Sequence, residues 1–226
     1  MGTITSAICD SFKAEILEAA HCFNATVTPT GTLASGSQAV TAVSAMTGIA
    51  VGMTVANANV PAGAVVESIT SSTAFTISRA ATAAAAGTAL TISADAFKIA
   101  LIKYTPTASF GAANVNYSDL GTDEASGTNY TAGGMALTNV TPGVASATGW
   151  TTFNNTPATT WTNVTVDAGG ALIYNTGARL GGTSGTNTQG ANRACAVFAF
   201  PGEEKVTAGT LTITYPQSAN GLLSIT

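Results

Sequence analysis

The chain has 226 residues, enough for one ordinary domain or two small ones, so a buried core is within reach without disulfides or metal. Of these residues 46% are hydrophobic and only 8% are charged, about a third of the usual charged share, which excludes disorder driven by charge. Seven Lys and Arg against 11 Asp and Glu leave a net charge of -4 with no basic cluster, so nucleic acid is not an expected partner.

Ala and Thr are the commonest residues, and no segment holds 18 consecutive apolar ones, so no helical membrane span and no membrane partner are expected. The N-terminus Met1-Gly2-Thr3-Ile4-Thr5 lacks a basic start, an apolar stretch and a cleavage site, so synthesis in a cytoplasm without export is expected. Cys9, Cys22 and Cys195 are an odd number without CxxC spacing, which favours small buried hydrophobes with free thiols over a disulfide framework or zinc site. Asn-x-Ser/Thr triplets such as Asn24-Ala25-Thr26 arise by chance in so Thr-rich a chain.

Ile4 to Phe23 reads as the one convincing helix. Ile8, Phe12 and Ile16 recur at i+4, Lys13 and Glu15 to Glu18 take the other face, and Thr5 or Ser6 can cap the start. Its apolar stripe needs a sheet to pack on, because a lone helix of this length is marginal in water. From Thr26 to Ala94 only Glu67 and Arg79 are charged, and the texture is that of a small β unit of its own. Strand runs are expected at Ala39–Val43, Met53–Val55, Ala64–Ile69, Phe75–Ser78 and Ala89–Ile92, punctuated by Gly48, Gly52, Pro61-Ala62-Gly63 and Gly87. Ala83–Ala86 is taken as a turn or edge rather than a helix, because Gly87 and the short flanks interrupt it.

After Asp95 the residues grow larger. Phe97–Tyr104 alternates as a strand with one buried face, and further strands are expected at Met135–Val140, Val144–Phe153, Ala171–Tyr174, Cys195–Phe200, Leu211–Tyr215 and Leu222–Ile225. The fold class is mainly β, an antiparallel β-sandwich or jelly-roll-like domain with one N-terminal helix, because the crossover helices of a parallel sheet are missing. Thr105–Gly133 and Asn175–Asn192 are too long and polar for hairpins, and both are expected to rest on protein surface.

Catalytic signals are weak. His21 is the single histidine and belongs to the end of the helix, so a structural role outweighs a triad. Asp119, Asp123 and Glu124 lack the other ligands and the turn glycine of a calcium loop, and a solvated acidic loop is the default. Glu203-Glu204-Lys205 after Pro201-Gly202 reads as a polar hairpin. The Gly181-Gly182 run lacks the Lys-Ser/Thr of a phosphate loop. Trp150, Trp161, Tyr130 and Tyr174 have the chemistry to stack on a sugar, although core or interface is their commoner use. No catalytic, cofactor-binding or metal residue is therefore assigned, and a non-enzymatic protein is expected.

The run Ile4–Phe23 resembles the opening of a family of tailed-bacteriophage virion structural proteins, as do Phe97-Lys98-Ile99-Ala100-Leu101, Tyr130-Thr131-Ala132-Gly133-Gly134, and Gly170–Asn175 with Asn192-Arg193-Ala194. Shorter members of that family pass almost directly from the helix into the Phe97-like strand. The resemblance therefore implies a host β-domain of residues 1–25 plus 95–226, with residues 26–94 as an inserted small all-β domain. The insert is itself similar to small β modules of phage structural proteins, through Gly48–Val55, Val60-Pro61-Ala62-Gly63 and Val65–Ile69.

What the resemblance implies is a place in the virion. The expected role is a capsid decoration, or cement, protein on the capsid surface, with the major capsid protein and copies of itself as partners, as a trimer or dimer. The alternative is a tail, neck or fibre protein whose β-module binds a receptor or glycan. The N-terminal segment and the long loops are expected to carry the lattice contacts, so that deleting Met1–Thr5 removes binding without unfolding the domain.

Overall fold

The computed structural model describes residues 1–17, 21–137, 141–145, 150–154, 158–177, 192–214 and 223–225. Its elements are β1 (Ala7–Ile8), α1 (Asp10–Leu17), β2 (Thr30–Leu33), β3 (Ala39–Thr41), β4 (Thr54–Ala56), β5 (Val66–Ser71), β6 (Ala74–Ile77), β7 (Ala85–Ala89) and β8 (Thr91–Ser93). There follow β9 (Phe97–Lys103), a 3-10 helix (Tyr117–Asp123), β10 (Met135–Ala136), β11 (Thr141–Ala145), β12 (Trp150–Asn154), β13 (Ala158–Asn175), β14 (Arg193–Thr214) and β15 (Leu223–Ile225). The protein is mainly β, and among the described residues the paired strands are antiparallel and there are two helices. The described residues fall into two compact units, one drawn from Met1–Leu17, Ala96–Gly177 and Ala191–Thr226, the other from Glu18–Asp95.

In the first unit the main sheet runs β1-β14-β13-β9-β10, and a second sheet runs β11-β12-β15. Phe97–Lys103 does not leave one face open, as its alternation suggested. Ile99, Ala100, Leu101 and Ile102 are all buried, so both faces of β9, an inner strand of the sheet, are covered. Leu172 and Ile173 of β13 and Val197 of β14 complete this core. Each large side chain so buried contributes about 1.5–3 kcal/mol of transfer free energy.

The predicted helix is shorter than its periodicity. Ala7 and Ile8 pair with Val197 and Ala196, and the Cys9 N–H continues the ladder to the Cys195 carbonyl at 2.9 Å. The edge of β14 thus takes Ala7 and Ile8, which local periodicity assigns to the helix. At the other end α1 stops at Leu17, residues 18–20 lie outside the described set, and His21–Phe23 are not helical. Phe12 packs inward as expected, and α1 does lie against β14.

The N-terminal segment is not a free arm. Gly2 N–H donates to the Pro106 carbonyl at 2.8 Å, Phe110 N–H to Thr3, and Thr5 N–H to Phe110 at 2.9 Å. Ile4 meanwhile sits where Gly169 and Gly170 have no side chains. A Cβ on Gly170 would stand 2.5 Å from the Phe198 carbonyl oxygen and 2.8 Å from Ile4 Cγ2. Removing Met1–Thr5 therefore strips hydrogen bonds and packing from the domain.

The second unit has its own core. One sheet runs β5-β6-β3-β2-β7 and a smaller one pairs β4 with β8. Leu33, Val40, Phe75 and Ile77 from the larger sheet join Val55 and Ile92 from the smaller in one buried cluster. Of the polyalanine stretch, Ala85 and Ala86 enter the edge strand β7, with Gly87 at φ +57° supplying the irregularity.

Candidate interaction surface

The densest acidic group does not form a solvated loop. Asp123 is 2% exposed, and its carboxylate accepts from Thr107 N–H and Oγ1 (both 2.9 Å) and Ala108 N–H (2.7 Å), while Lys103 Nζ stands 2.5 Å away. Burial alone would raise this carboxyl, but the Ala108 N–H, the Lys103 ammonium and both Thr107 donors outweigh it and hold it well below the usual carboxylate range. Glu124 accepts from Tyr117 Oη (2.5 Å), Tyr130 Oη (3.0 Å) and Gly133 N–H (2.7 Å). Asp119 accepts from the N–H groups of Val115 and Asn116. The three carboxylates thus point at separate donor sets and pin the Thr105–Gly133 connector to its own unit. Among the described residues no three His, Cys, Asp or Glu side chains converge as a metal-binding group.

The aromatic residues singled out for stacking are mostly internal. Trp161 and Tyr174 are 4% and 2% exposed, Tyr117 stacks on Tyr174 with centroids 4.7 Å apart, and Tyr130 tilts against Trp161. Burial, with the Glu124 charge beside them, raises the phenols of Tyr117, Tyr130 and Tyr174, the last to about 12. The side chain of Trp150 lies outside the described residues, as does the whole Gly181-Gly182 run. His21 has its ring 6.3 Å from that of Phe23.

Cys9, Cys22 and Cys195 are buried, and none forms a disulfide. Burial first, and then the Asp10 charge, pushes the Cys9 thiol up to about 12, so it is a protonated core group rather than a nucleophile.

What remains at the surface is a strand edge. β13 and β14 pair along nearly their whole length, from Ala158 opposite Thr214 to Asn175 opposite Arg193. Pro201-Gly202-Glu203-Glu204-Lys205 is not a hairpin, because β14 runs through it without reversing. Instead Ala168 faces Glu204 and Gly170 faces Ala199, so Gly169 alone stands against Phe200–Glu203 in a wide bulge. Proline and glycine did mark an irregularity here, but the 22-residue strand continues beyond it. From Pro201 to Lys205 every residue is exposed, and beyond Val206 the exposed residues are Thr207, Ala208, Thr210, Thr212 and Thr214.

On its outer side β14 is bonded to β1 at Ala196 and Val197, and Ser6 Oγ accepts from Ala199 N–H at 2.9 Å. Among the described residues no strand or bridge pairs with that side from Phe200 to Thr214. Beyond Lys205 this edge carries no charged residue, and an edge without a partner strand is the form in which one protein binds another by strand addition.

Sequence reasoning did not assign Ala158–Gly170 to a strand. The signal was present up to Ala168: from Ala158 to Ala168 the buried positions are Thr159, Trp161, Val164, Val166 and Ala168, a period of two broken once where Asn163 takes φ +50°. It also set Glu15 on the solvent face of the helix, whereas Glu15 is 2% exposed and paired with Arg193. Comparison with protein families, with curated protein sequences and with solved structures returns no match.

Proposed function

We propose that this protein is a non-enzymatic structural component of a tailed-phage particle, a capsid decoration protein whose partners are the major capsid protein and copies of itself. The sequence resemblance supplies the location. The observation that carries the role is the exposed edge of β14, whose Thr207–Thr214 stretch holds no charged residue. Such a surface is covered by neighbouring protein without stranding charge, and many modest contacts of this kind sum across a symmetric shell.

In this reading residues 26–94 are an inserted small all-β domain within a host β-sandwich or jelly-roll-like domain, projecting outward or reaching a neighbouring copy. A glycan-binding use of the module has less support. Its single aromatic residue, Phe75, is fully buried, and a sugar platform needs an exposed ring.

The test is the copy number of the chain per purified particle, by quantitative mass spectrometry against the major capsid protein. Abundance comparable with the capsid protein is the expected result. A few copies per particle would move the protein to the tail, neck or fibres, and absence would discard the virion reading.

A further inference from the structure

We infer that the edge of β14 with which no described strand pairs binds the same edge of a second copy, antiparallel about a two-fold axis through Thr212. The guards that normally keep strand edges from pairing are unevenly placed along it. Pro201, Glu203, Glu204, Lys205 and the bulge opposite Gly169 all protect its first part. Thr210–Thr214 has no charge and no proline. Its last four residues keep a regular register with β13, with Leu211 opposite Trp161, Thr212 opposite Thr160, Ile213 opposite Thr159 and Thr214 opposite Ala158.

The occupant follows from the side chains of this run. Thr210-Leu211-Thr212-Ile213-Thr214 is its own complement when reversed. With the axis at Thr212 the whole run pairs with itself: Thr212 meets the partner's Thr212, Thr210 meets the partner's Thr214, and Leu211 meets the partner's Ile213. Threonine then faces threonine on the exposed face and branched apolar residue faces branched apolar residue on the inner face, both favourable cross-strand pairs. Within one chain Thr160 Oγ1 and Thr212 Oγ1 already lie 3.2 Å apart, so the pairing extends an existing threonine ladder across the axis. An interface made from one patch on both copies is isologous and closes at two chains.

The run is short, so free chains pair weakly and in proportion to concentration, and a lattice that holds them together multiplies the effect. This inference shares with the proposed function the reading of β14 as a contact edge. Its test uses purified protein alone, so it fails or stands separately from the copy number in particles.

Sedimentation of the native chain over a concentration series is expected to show a monomer–dimer equilibrium, lost in T212K, whose melting temperature matches the native chain's at dilute, monomeric concentration, because two lysines would then face each other at the axis. Under mild oxidation T212C is expected to give a disulfide-linked dimer, whereas T210C, whose two copies stand apart in this register, gives none; the three native thiols are buried and do not compete. A native chain that stays monomeric with no T212C cross-link overturns the inference. So does a dimer indifferent to T212K, or one that cross-links equally through T210C.

Discussion

Glu15 and Arg193 stand 178 positions apart in the chain, and two N–H groups of the Arg193 guanidinium donate to the same Glu15 carboxylate oxygen. A third nitrogen, Nη1, reaches Asn116 Oδ1 at 3.2 Å, so one side chain joins α1, β14 and the connector before the 3-10 helix. Arginine suits this place because its fork bonds two elements at once while its charge offsets a carboxylate taken out of water.

Removing one partner of such a pair is costlier than removing both. Arg193→Ala takes the guanidinium away from the buried Glu15 carboxylate and should destabilise the first unit by about 3–5 kcal/mol. The double replacement Glu15→Met with Arg193→Met should recover most of that loss, since it strands no charge. Urea unfolding of the three variants measures the difference; equal losses in the single and double variants would mean that packing rather than charge dominates.

Asp123 makes the protein sensitive to acid in a defined direction. Its carboxyl is held below the usual range in the fold, against an unfolded value near ~3.9. The stability it contributes is therefore present above about pH 4 and is lost as pH falls from there toward the folded value. Asp123→Asn should cost about 3 kcal/mol at neutral pH. The gap between native and variant proteins should narrow steadily below pH ~4, which thermal melts across a pH series would reveal.

Alkali acts through the opposite sign. The Cys9 thiol is raised from 9.0 to about 12 and the Tyr174 phenol from 10.0 to about 12, so both bind their protons more tightly folded than unfolded. Their contribution is complete below pH 9 and drains away as pH rises from 9 to 12. For Cys9 the slope reaches roughly 1.4 kcal/mol per pH unit in that window. Cys9→Ala should therefore flatten the fall of the urea midpoint between pH 9 and 11, and absorbance titration of the native protein should show Tyr117, Tyr130 and Tyr174 ionising late.

The parts of the fold legible in the sequence are those whose burial is written in consecutive apolar residues. Phe97–Lys103, Ala171–Tyr174 and Cys195–Phe200 are strands because Ile, Leu, Val and Phe cluster there. The segment Ala7–Ile8 was misread because helix periodicity and a strand edge compete for the same residues, and the edge of β14 is visible only once the chain has folded. Glu15 was misplaced for a related reason: a carboxylate on a helix says nothing about a guanidinium arriving from Arg193. Asp123 and Glu124 showed as an acidic cluster, but the donors that separate them come from Thr107, Ala108, Tyr117, Tyr130 and Gly133, and composition cannot say which way each points.

The backbone at Ala208 offers a gain in stability. Ala208 takes φ +46° in the middle of β14, a left-handed conformation that costs a residue with a Cβ on the order of 1–2 kcal/mol and a glycine almost nothing. Its N–H donates to Thr165 Oγ1 at 3.0 Å, which holds the conformation in place and does not depend on the side chain. Against this, glycine gives the unfolded chain more freedom, worth about 0.5–1 kcal/mol. Ala208→Gly should on balance stabilise the first unit by about 0.5–1 kcal/mol. The converse change at Gly134, where φ is +67° and a Cβ would stand 1.8 Å from the Ile99 carbonyl oxygen, must displace β9 backbone and should destabilise strongly. Thermal melts of the two variants should therefore move in opposite directions. A loss of stability in Ala208→Gly would mean that the unfolded chain's entropy outweighs the strain at that position.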